Sequence, residues 1–366
     1  MNNFNSIKTV LYKEADLKYN IAKKIIDTSK EKNKEIITFR DENDLSEKIN
    51  TLKKIHRAKE VLILKEFPGR KFQKCPGSPK VICCNYYLLN TCFNCLFDCT
   101  YCFLNSYINS FGIVQFVNLD DLADIVKSFC SDEDRILRIG TGEFTDSLMF
   151  DEVTGIAANL IEATSDEKKL FLEFKTKSSE IDHLKNIKSK GNAVLAWSLN
   201  TQRNIDLYEA GTSDINERIE ACAKAQEWGY YTALHFDPVI KYDNFMDEYF
   251  KVIEMMSEKL NRSKIVWISL GCFRYSPGFK DIIKNTFPEE KLTLEEMFPG
   301  IDGKYRYITP ERAEIYKRIK EKILYHFPDV FIYLCMEDSD MWSRVFDKDY
   351  NTSDDLENDL CRHLLS

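Results

Sequence analysis

The sequence predicts an α/β protein built on a mainly parallel sheet, and three observations lead to that class. At 366 residues, 44% hydrophobic and 30% charged, the chain has the length and composition of a globular fold with a substantial core. From residue 81 onward, short apolar runs alternate with amphipathic helical stretches. Strand–helix alternation at this spacing implies βα units.

The strand candidates are Val81–Leu89, Ile136–Gly140, Leu170–Phe174, Ala193–Leu199, Tyr231–Phe236 and Ile265–Leu270. Helix candidates lie between them near 119–130, 151–164, 179–189, 214–228 and 244–259. About six units are too few for an eight-fold barrel, which leaves a partial barrel and an open sheet. In both, chemistry belongs at the C-terminal ends of the strands.

Residues 1–80 read as a small helical and extended segment. Leu45–His56 has helical spacing, Val61–Leu64 is a strand candidate, and FPGRKFQKCPGSPK is a connector punctuated by Pro and Gly. After residue 271 the pattern loosens to a helix near 309–325, a strand near 329–335 and a short helix near 338–346. The expected division is therefore 1–80, a central unit at 81–271, and a C-terminal α/β extension at 272–366 that closes the barrel mouth.

Net charge is −8, but it is unevenly spread. Residues 1–80 carry 19 Lys/Arg against 11 Asp/Glu, a net of +8, so residues 81–366 carry 32 against 48, a net of −16. A basic arm on an acidic body is able to meet phosphate, while Lys-rich helices such as Ile21–Lys34 equally read as a solvated face. No apolar run is long enough to span a bilayer, and MNNFNSIKTVLYKEADLKYN lacks the apolar core of a signal peptide. The expectation is a cytoplasmic protein without a membrane partner.

Twelve cysteines in such a chain point to metal binding before disulfides. Seven crowd between Cys75 and Cys102, and Cys95-Leu-Phe-Asp-Cys99-Thr-Tyr-Cys102 forms a C-x3-C-x2-C array just after the first strand candidate. Three thiolates on one compact loop suit three irons of a cubane, with the fourth iron left open for a ligand. Structural zinc is the rival and needs a fourth Cys or His, which Cys92 or the Cys83–Cys84 pair would have to supply. The βα series that follows favours the cluster.

Polar residues mark the ends of later strands. Arg138-Ile-Gly-Thr-Gly-Glu143-Phe-Thr-Asp146 has glycines, Gly140 and Gly142, that admit a ligand close to the backbone, and in Glu143 a carboxylate able to accept from an ammonium group. Lys177, Ser198 and Asp237, with His235 beside it, sit near the ends of successive strands and read together as a ring around a ligand. Taken alone, His235 reads as a structural hydrogen-bonder.

These motifs, in this order, resemble the spore photoproduct lyase family of radical S-adenosylmethionine (SAM) proteins. The likeness runs from about Lys74 to Phe346, through CPG, CCNYYLLN, CLFDCTYCFLN, RIGTGEFTDSL, LEFKTKS, AWSLN, GTSDINERIEACAKAQEWGY, HFDPVI and WISLGCFRY. It implies a partial (β/α)6 radical SAM barrel, a [4Fe-4S] cluster on Cys95, Cys99 and Cys102, and SAM as cofactor. It further implies SAM contacts at Tyr101, Thr145, Lys177 and Ser198, and a reducing partner such as flavodoxin or ferredoxin. In that family the cluster's electron cleaves SAM to a 5′-deoxyadenosyl radical. The alignment places Glu143 where the lyase has a hydrogen-donor cysteine, and Phe103 where it has a tyrosine of the same relay. A carboxylic O–H is far stronger than S–H, so the resemblance implies a relative in which that donor was lost or never present, with Glu143 as a SAM ligand in a Gly-Glu motif instead; repair would need a different thiol or phenol to donate hydrogen. Cys272 and Tyr275, after the sixth strand, are candidates by position.

Three functions compete on this reading. The first is radical chemistry on a nucleic acid, as lesion reversal or base modification, with aromatic residues to stack on an extruded base. The second is radical chemistry on a small molecule or peptide. The third is a cluster- or zinc-bearing scaffold without activity.

Overall fold

The computed structural model describes residues 3–108, 111–133 and 135–365. The N-terminal segment folds into parallel α/β structure. β1 (Thr9–Tyr12), β2 (Glu35–Thr38) and β3 (Val61–Lys65) pair in parallel, with Thr9 opposite both Glu35 and Val61. Helix Asn20–Glu31 buries Ile21, Ala22, Ile25 and Ile26, one stripe at helical spacing. Asp41 caps the helix Glu42–Leu52 by accepting from the Asn43 and Asp44 N–H groups. β1 and β2 escape sequence patterning because each is four residues long and β2 is an edge with no fully buried position.

The chain continues through β4 (Phe72–Lys74), β5 (Tyr87–Leu89), β6 (Cys92–Phe93), β7 (Asp98–Cys99) and β8 (Ile113–Phe116). β8 adds in parallel to β3, and β6 pairs antiparallel with β8. The first sheet thus has the order β2-β1-β3-β8-β6 and takes two strands from beyond residue 80.

The second sheet carries the site. β9 (Leu137–Gly140), β10 (Leu170–Thr176) and β11 (Ala193–Ser198) are followed by the short β12 (Glu209–Ala210), then β13 (Tyr231–Val239) and β14 (Ile265–Cys272). The tail adds β15 (Arg274–Tyr275), β16 (Phe298–Pro299), β17 (Tyr305–Arg306) and β18 (Ile332–Leu334). The order is β18-β14-β13-β11-β10-β9-β5-β4, a curled half-barrel parallel from β5 to β18 with β4 antiparallel at the edge. All six expected strands are present as neighbours in chain order. β11 and β14 are buried along their whole length, as strands covered on both faces should be.

Three expectations need correction. Val81–Leu89 is extended into a ladder only over Tyr87–Leu89, because Lys80 (φ 64°) and Asn85 (φ 55°) adopt left-handed backbone and break the run. The helix expected at 179–189 is a single 3₁₀ turn, Asp182–Leu184. Its apolar positions Ile181, Leu184 and Ile187 are buried without a helix, while the Thr176 and Ser178 hydroxyls accept the N–H groups of Ser178 and Glu180 and hold a turn. The helix at 151–164 is two pieces divided at Gly155, whose φ of 68° favours glycine. Among the described residues no helix is long and apolar enough to cross a membrane.

The barrel interior is polar. Glu173 on β10 lies 2.7 Å from His235 Nε2, His235 Nδ1 lies 2.6 Å from Ser269 Oγ, and Trp267 Nε1 donates to Glu173 at 3.4 Å. Arg138 stands 4.0 Å from Glu173 and 4.1 Å above the Trp267 ring. Burial alone raises the Glu173 carboxyl, but His235, Arg138 and Lys175 outweigh it and hold it at about 2. Burial also keeps His235 below its ordinary value. The imidazole is therefore neutral near pH 7, donating from Nε2 to Glu173 and accepting from Ser269 at Nδ1. His235 is a structural hydrogen-bonder in this network.

Replacing Glu173 by Gln leaves Arg138 buried without its counter-charge and should cost about 3–5 kcal/mol in urea unfolding. The folded pKa lies below the reference value of 4.5, so the stabilisation is complete above about that pH and is lost as pH falls toward about 2. Wild type and Glu173→Gln should therefore converge in acid. Parallel stability–pH curves would contradict this assignment.

Candidate active site

The cysteine loop is held on both flanks. At its entry Asn94 adopts φ 71°, its Oδ1 accepts the Cys95 N–H at 2.9 Å, and its Nδ2 donates to the Gly112 carbonyl at 3.0 Å. Lys59, from the turn before β3, donates to Asn94 Oδ1 at 2.6 Å and to the Cys95 carbonyl at 2.7 Å. On the far flank β7 pairs antiparallel with β12, setting Cys99 opposite Glu209. The Tyr101 hydroxyl donates to Glu209 Oε1 at 2.5 Å, and Arg218 donates to Glu209 Oε2 at 2.6 Å and to the Ser198 carbonyl at 2.9 Å. Arg218 is fully buried, so this ion pair is an anchor shielded from solvent.

Cys95, Cys99 and Cys102 are free thiols. Burial pushes Cys95 up to about 12, Cys99 well above its ordinary value, and Cys102 upward, and Cys95 and Cys99 each feel the charge of neighbouring loop thiols. Metal binding therefore has to displace their protons. Zinc would need a fourth Cys or His beside the three cysteines. A cubane takes one thiolate at each of three separate iron corners, which is the donor set this loop offers.

The turn after β9 lies against β10. Asp146 accepts from the Leu148 N–H, the Thr176 hydroxyl and the Lys177 N–H at 3.0, 2.9 and 2.8 Å. A Cβ on Gly142 would stand 2.9 Å from Ser147 Oγ and 3.1 Å from Lys175 Cβ, so the turn needs glycine there. The Glu143 carboxylate accepts from the Tyr86 hydroxyl at 2.8 Å. Burial disfavours the Lys175 ammonium, but Glu143, Glu173 and Asp237 outweigh it and raise its pKa. Asp237 is gripped by Arg274 through both oxygens, at 3.0 and 3.2 Å; burial raises its pKa, and Arg274 outweighs this to lower it.

The strand ends thus bring Glu143, Lys175 and Asp237 within electrostatic reach of one another. The Lys177 ammonium lies 5.8 Å above the Tyr101 ring and its charge reaches Cys99, while Thr145, hydrogen-bonded with Cys92, and Ser198, whose carbonyl accepts from Arg218, are both buried. Cys272 and Tyr275, the hydrogen donors expected by position, flank Arg274 on the chain. A Cβ on Gly271 would meet Asp237 Oδ1 at 2.5 Å, so position 271 faces the interior. Strand alternation turns Cys272 the other way, against Tyr316 of helix Thr309–His326. Tyr275 is stacked on Tyr305 at 5.4 Å and Phe279 at 5.8 Å in the small sheet β15-β17-β16.

Sequence patterning missed Tyr86, Lys175, Arg274 and Cys335, whose Sγ lies 3.4 Å from Arg274 Nη2. One signal was available: Glu173 and Lys175 are two apart in an otherwise apolar strand and must share a face.

A family model described as spore photoproduct lyase matches residues 6–335. The chain belongs to the spore photoproduct lyase family. A spore photoproduct lyase of Geobacillus sp. (strain Y412MC61) is 26% identical over 253 residues, covering 66% of this chain and 74% of the relative. That of Bacillus subtilis (strain 168) is 24% identical over 294 residues, covering 77% and 84%. The fold matches a solved spore photoproduct lyase complexed with dinucleoside spore photoproduct, with TM-score 0.75, 22% identity, and 90% and 98% of the two chains covered. A variant lyase with bound AdoMet and the same dinucleoside matches at TM-score 0.76 over the same shares, at 22% identity. With its family, this chain is a radical SAM enzyme whose cofactors are a [4Fe-4S] cluster and SAM.

Arg218→Ala leaves the Glu209 carboxylate buried and unpaired, which should cost about 3–5 kcal/mol. In the metal-free protein the loosened loop should also expose Cys99 to faster alkylation by iodoacetamide. Unchanged stability and alkylation rate would show that the ion pair does not anchor the loop.

Proposed function

We propose that this chain cleaves SAM reductively and directs the resulting radical at a nucleic acid, as lesion reversal or base modification, with Cys95, Cys99 and Cys102 as the cluster ligands. The observation that carries this reading is three free thiols beside a charged rim, Glu143, Lys175 and Asp237, at the C-terminal ends of parallel strands of one sheet, with Glu143 in electrostatic reach of Cys102. When bound, the cluster supplies the electron that breaks the sulfonium bond. An external reductant of the flavodoxin or ferredoxin kind feeds it.

The protein's own groups do the positioning. Glu143, oriented by Tyr86, accepts from the methionyl ammonium, and Gly142 lets the backbone come close. Tyr101, Thr145, Lys177 and Ser198 line the remaining contacts to SAM, with Asp237 held ready by Arg274. The nucleic acid is supported by the solved lyase with its dinucleoside, which this fold matches over 98% of that chain. Phe103 and Tyr107, 39% and 68% exposed beside the cysteine loop, offer ring faces to a base. Because Glu143 has no weak S–H bond, hydrogen return falls to a thiol, and Cys75 and Cys335 are within electrostatic reach of Glu143 and Asp237 respectively.

A second reading, a small molecule or peptide substrate, draws on the interior carboxylates and on the net charge of −16 over residues 81–366. Incubating reduced protein with SAM and dinucleoside spore photoproduct separates the two. Restored thymine supports lesion reversal, and Cys75→Ala or Cys335→Ala should then lower the yield at least tenfold. Formation of 5′-deoxyadenosine without thymine contradicts lesion reversal. Affinity for irradiated DNA should fall linearly on a log–log plot against salt, and a flat dependence would favour the second reading.

A further inference from the structure

Of the cations around the cysteine loop, Lys59 belongs to neither the barrel nor the charged rim. Lys59 stands on the 3₁₀ turn Ala58–Glu60 that leads into β3 of the first sheet. Its half-buried ammonium makes two short hydrogen bonds, to Asn94 Oδ1 at 2.6 Å and to the carbonyl of Cys95 at 2.7 Å. Neither acceptor is a carboxylate, so both bonds leave its charge uncancelled. Asn94 passes the restraint onward, since the same Oδ1 also accepts the Cys95 N–H and its Nδ2 is tied to Gly112. The charge of Lys59 reaches Cys92, Cys95 and Cys102, opposing the effect of burial on each thiol. The other charges that act on these ligands are Lys177 at Cys99 and Cys102, and the carboxylates of Asp146 at Cys95, Glu209 at Cys99 and Glu143 at Cys102.

The geometry points to Lys59 as a positioning residue that fixes the Cys95 end of the loop and favours the reduced state of the bound cluster. The inference rests on reading Cys95, Cys99 and Cys102 as the ligands. Three thiolates on a cubane make a site that gains a further negative charge on reduction. A fixed cation hydrogen-bonded to a ligand's own carbonyl stabilises that charge more in a dry loop than it would in water. The N-terminal sheet thereby acquires a role in the chemistry: it brings a positive charge to the Cys95 turn, which also feels the Asp146 carboxylate.

The experiment compares wild type with Lys59→Met and Lys59→Arg after anaerobic reconstitution. The readouts are iron and sulfide content and an EPR-monitored redox titration without SAM. Lys59→Met should shift the midpoint to more negative potential, by about tenfold in the reduced-to-oxidised ratio, or about 59 mV for a one-electron couple. Lys59→Arg, which keeps the charge and the donors, should stay close to wild type. If Lys59→Met instead loses iron while Lys59→Arg retains it, the positioning role still stands. A Lys59→Met protein with full iron and a wild-type midpoint overturns the inference, as does a Lys59→Arg protein that behaves like Lys59→Met. Failure of the ligand reading looks different, because wild type itself would then bind no iron and no labile sulfide.

Discussion

A loop carrying three thiols has no core of its own, so its shape depends on what grips it from outside. Here the grip comes from two unlike sources. On one flank the fully buried Arg218–Glu209 pair, reached by the Tyr101 hydroxyl, locks β12 against β7. On the other, Lys59 and Asn94 fix the backbone at Cys95. A buried pair is costly to desolvate but stiff once formed, and stiffness is what a site needs when its ligands must hold position through a change in charge. The packing of the half-barrel beneath sets where that loop sits; these bonds set how it is held.

The interior beneath the rim is organised by alternating charge. Glu173 and Arg138 settle one another at the bottom, with neutral His235 donating to Glu173, while Arg274 holds Asp237 and the carboxylates of Glu143, Glu173 and Asp237 favour the Lys175 ammonium near the strand ends. Each group has an opposite charge in reach, so the barrel can carry ionised side chains where a purely apolar core would expel them. The consequence for function is a rim in which Arg274 holds Asp237 ionised, and in which carboxylates are placed to accept from an ammonium group. Glu143 is the member of this set for which the resemblance to the lyase family implies a cysteine. Its hydrogen bond from Tyr86 orients it as an acceptor, which agrees with its place in a Gly-Glu turn.

Much of this was legible in the sequence. Five of the six strands announced themselves close to full length because runs such as AVLAWS and IVWISLGC are mostly apolar, as parallel strands covered on both faces must be. The cysteine triplet and the glycine turn were legible because their spacing carries their chemistry. What stayed hidden depended on tertiary context. TVLY and EIIT are too short to show alternation, and Ile181, Leu184 and Ile187 imitate a helical stripe while side-chain hydroxyls hold the backbone in a turn. The facing of Cys272 could be read only once Gly271 was known to point inward. Lys59 and Arg218 gave no signal, since a lone basic residue on a polar stretch looks solvated until its partner, far away in sequence, is placed beside it.

The account stands or falls on one iron of the cluster being left without a protein ligand, so that SAM can occupy it. Cys102→Ala tests this most directly, with 5′-deoxyadenosine measured by chromatography after reduction in the presence of SAM. The account predicts that wild type releases it and that the variant loses both the brown chromophore and the product. A Cys102→Ala protein that still cleaves SAM at the wild-type rate would contradict the assignment of the loop as the cluster's seat.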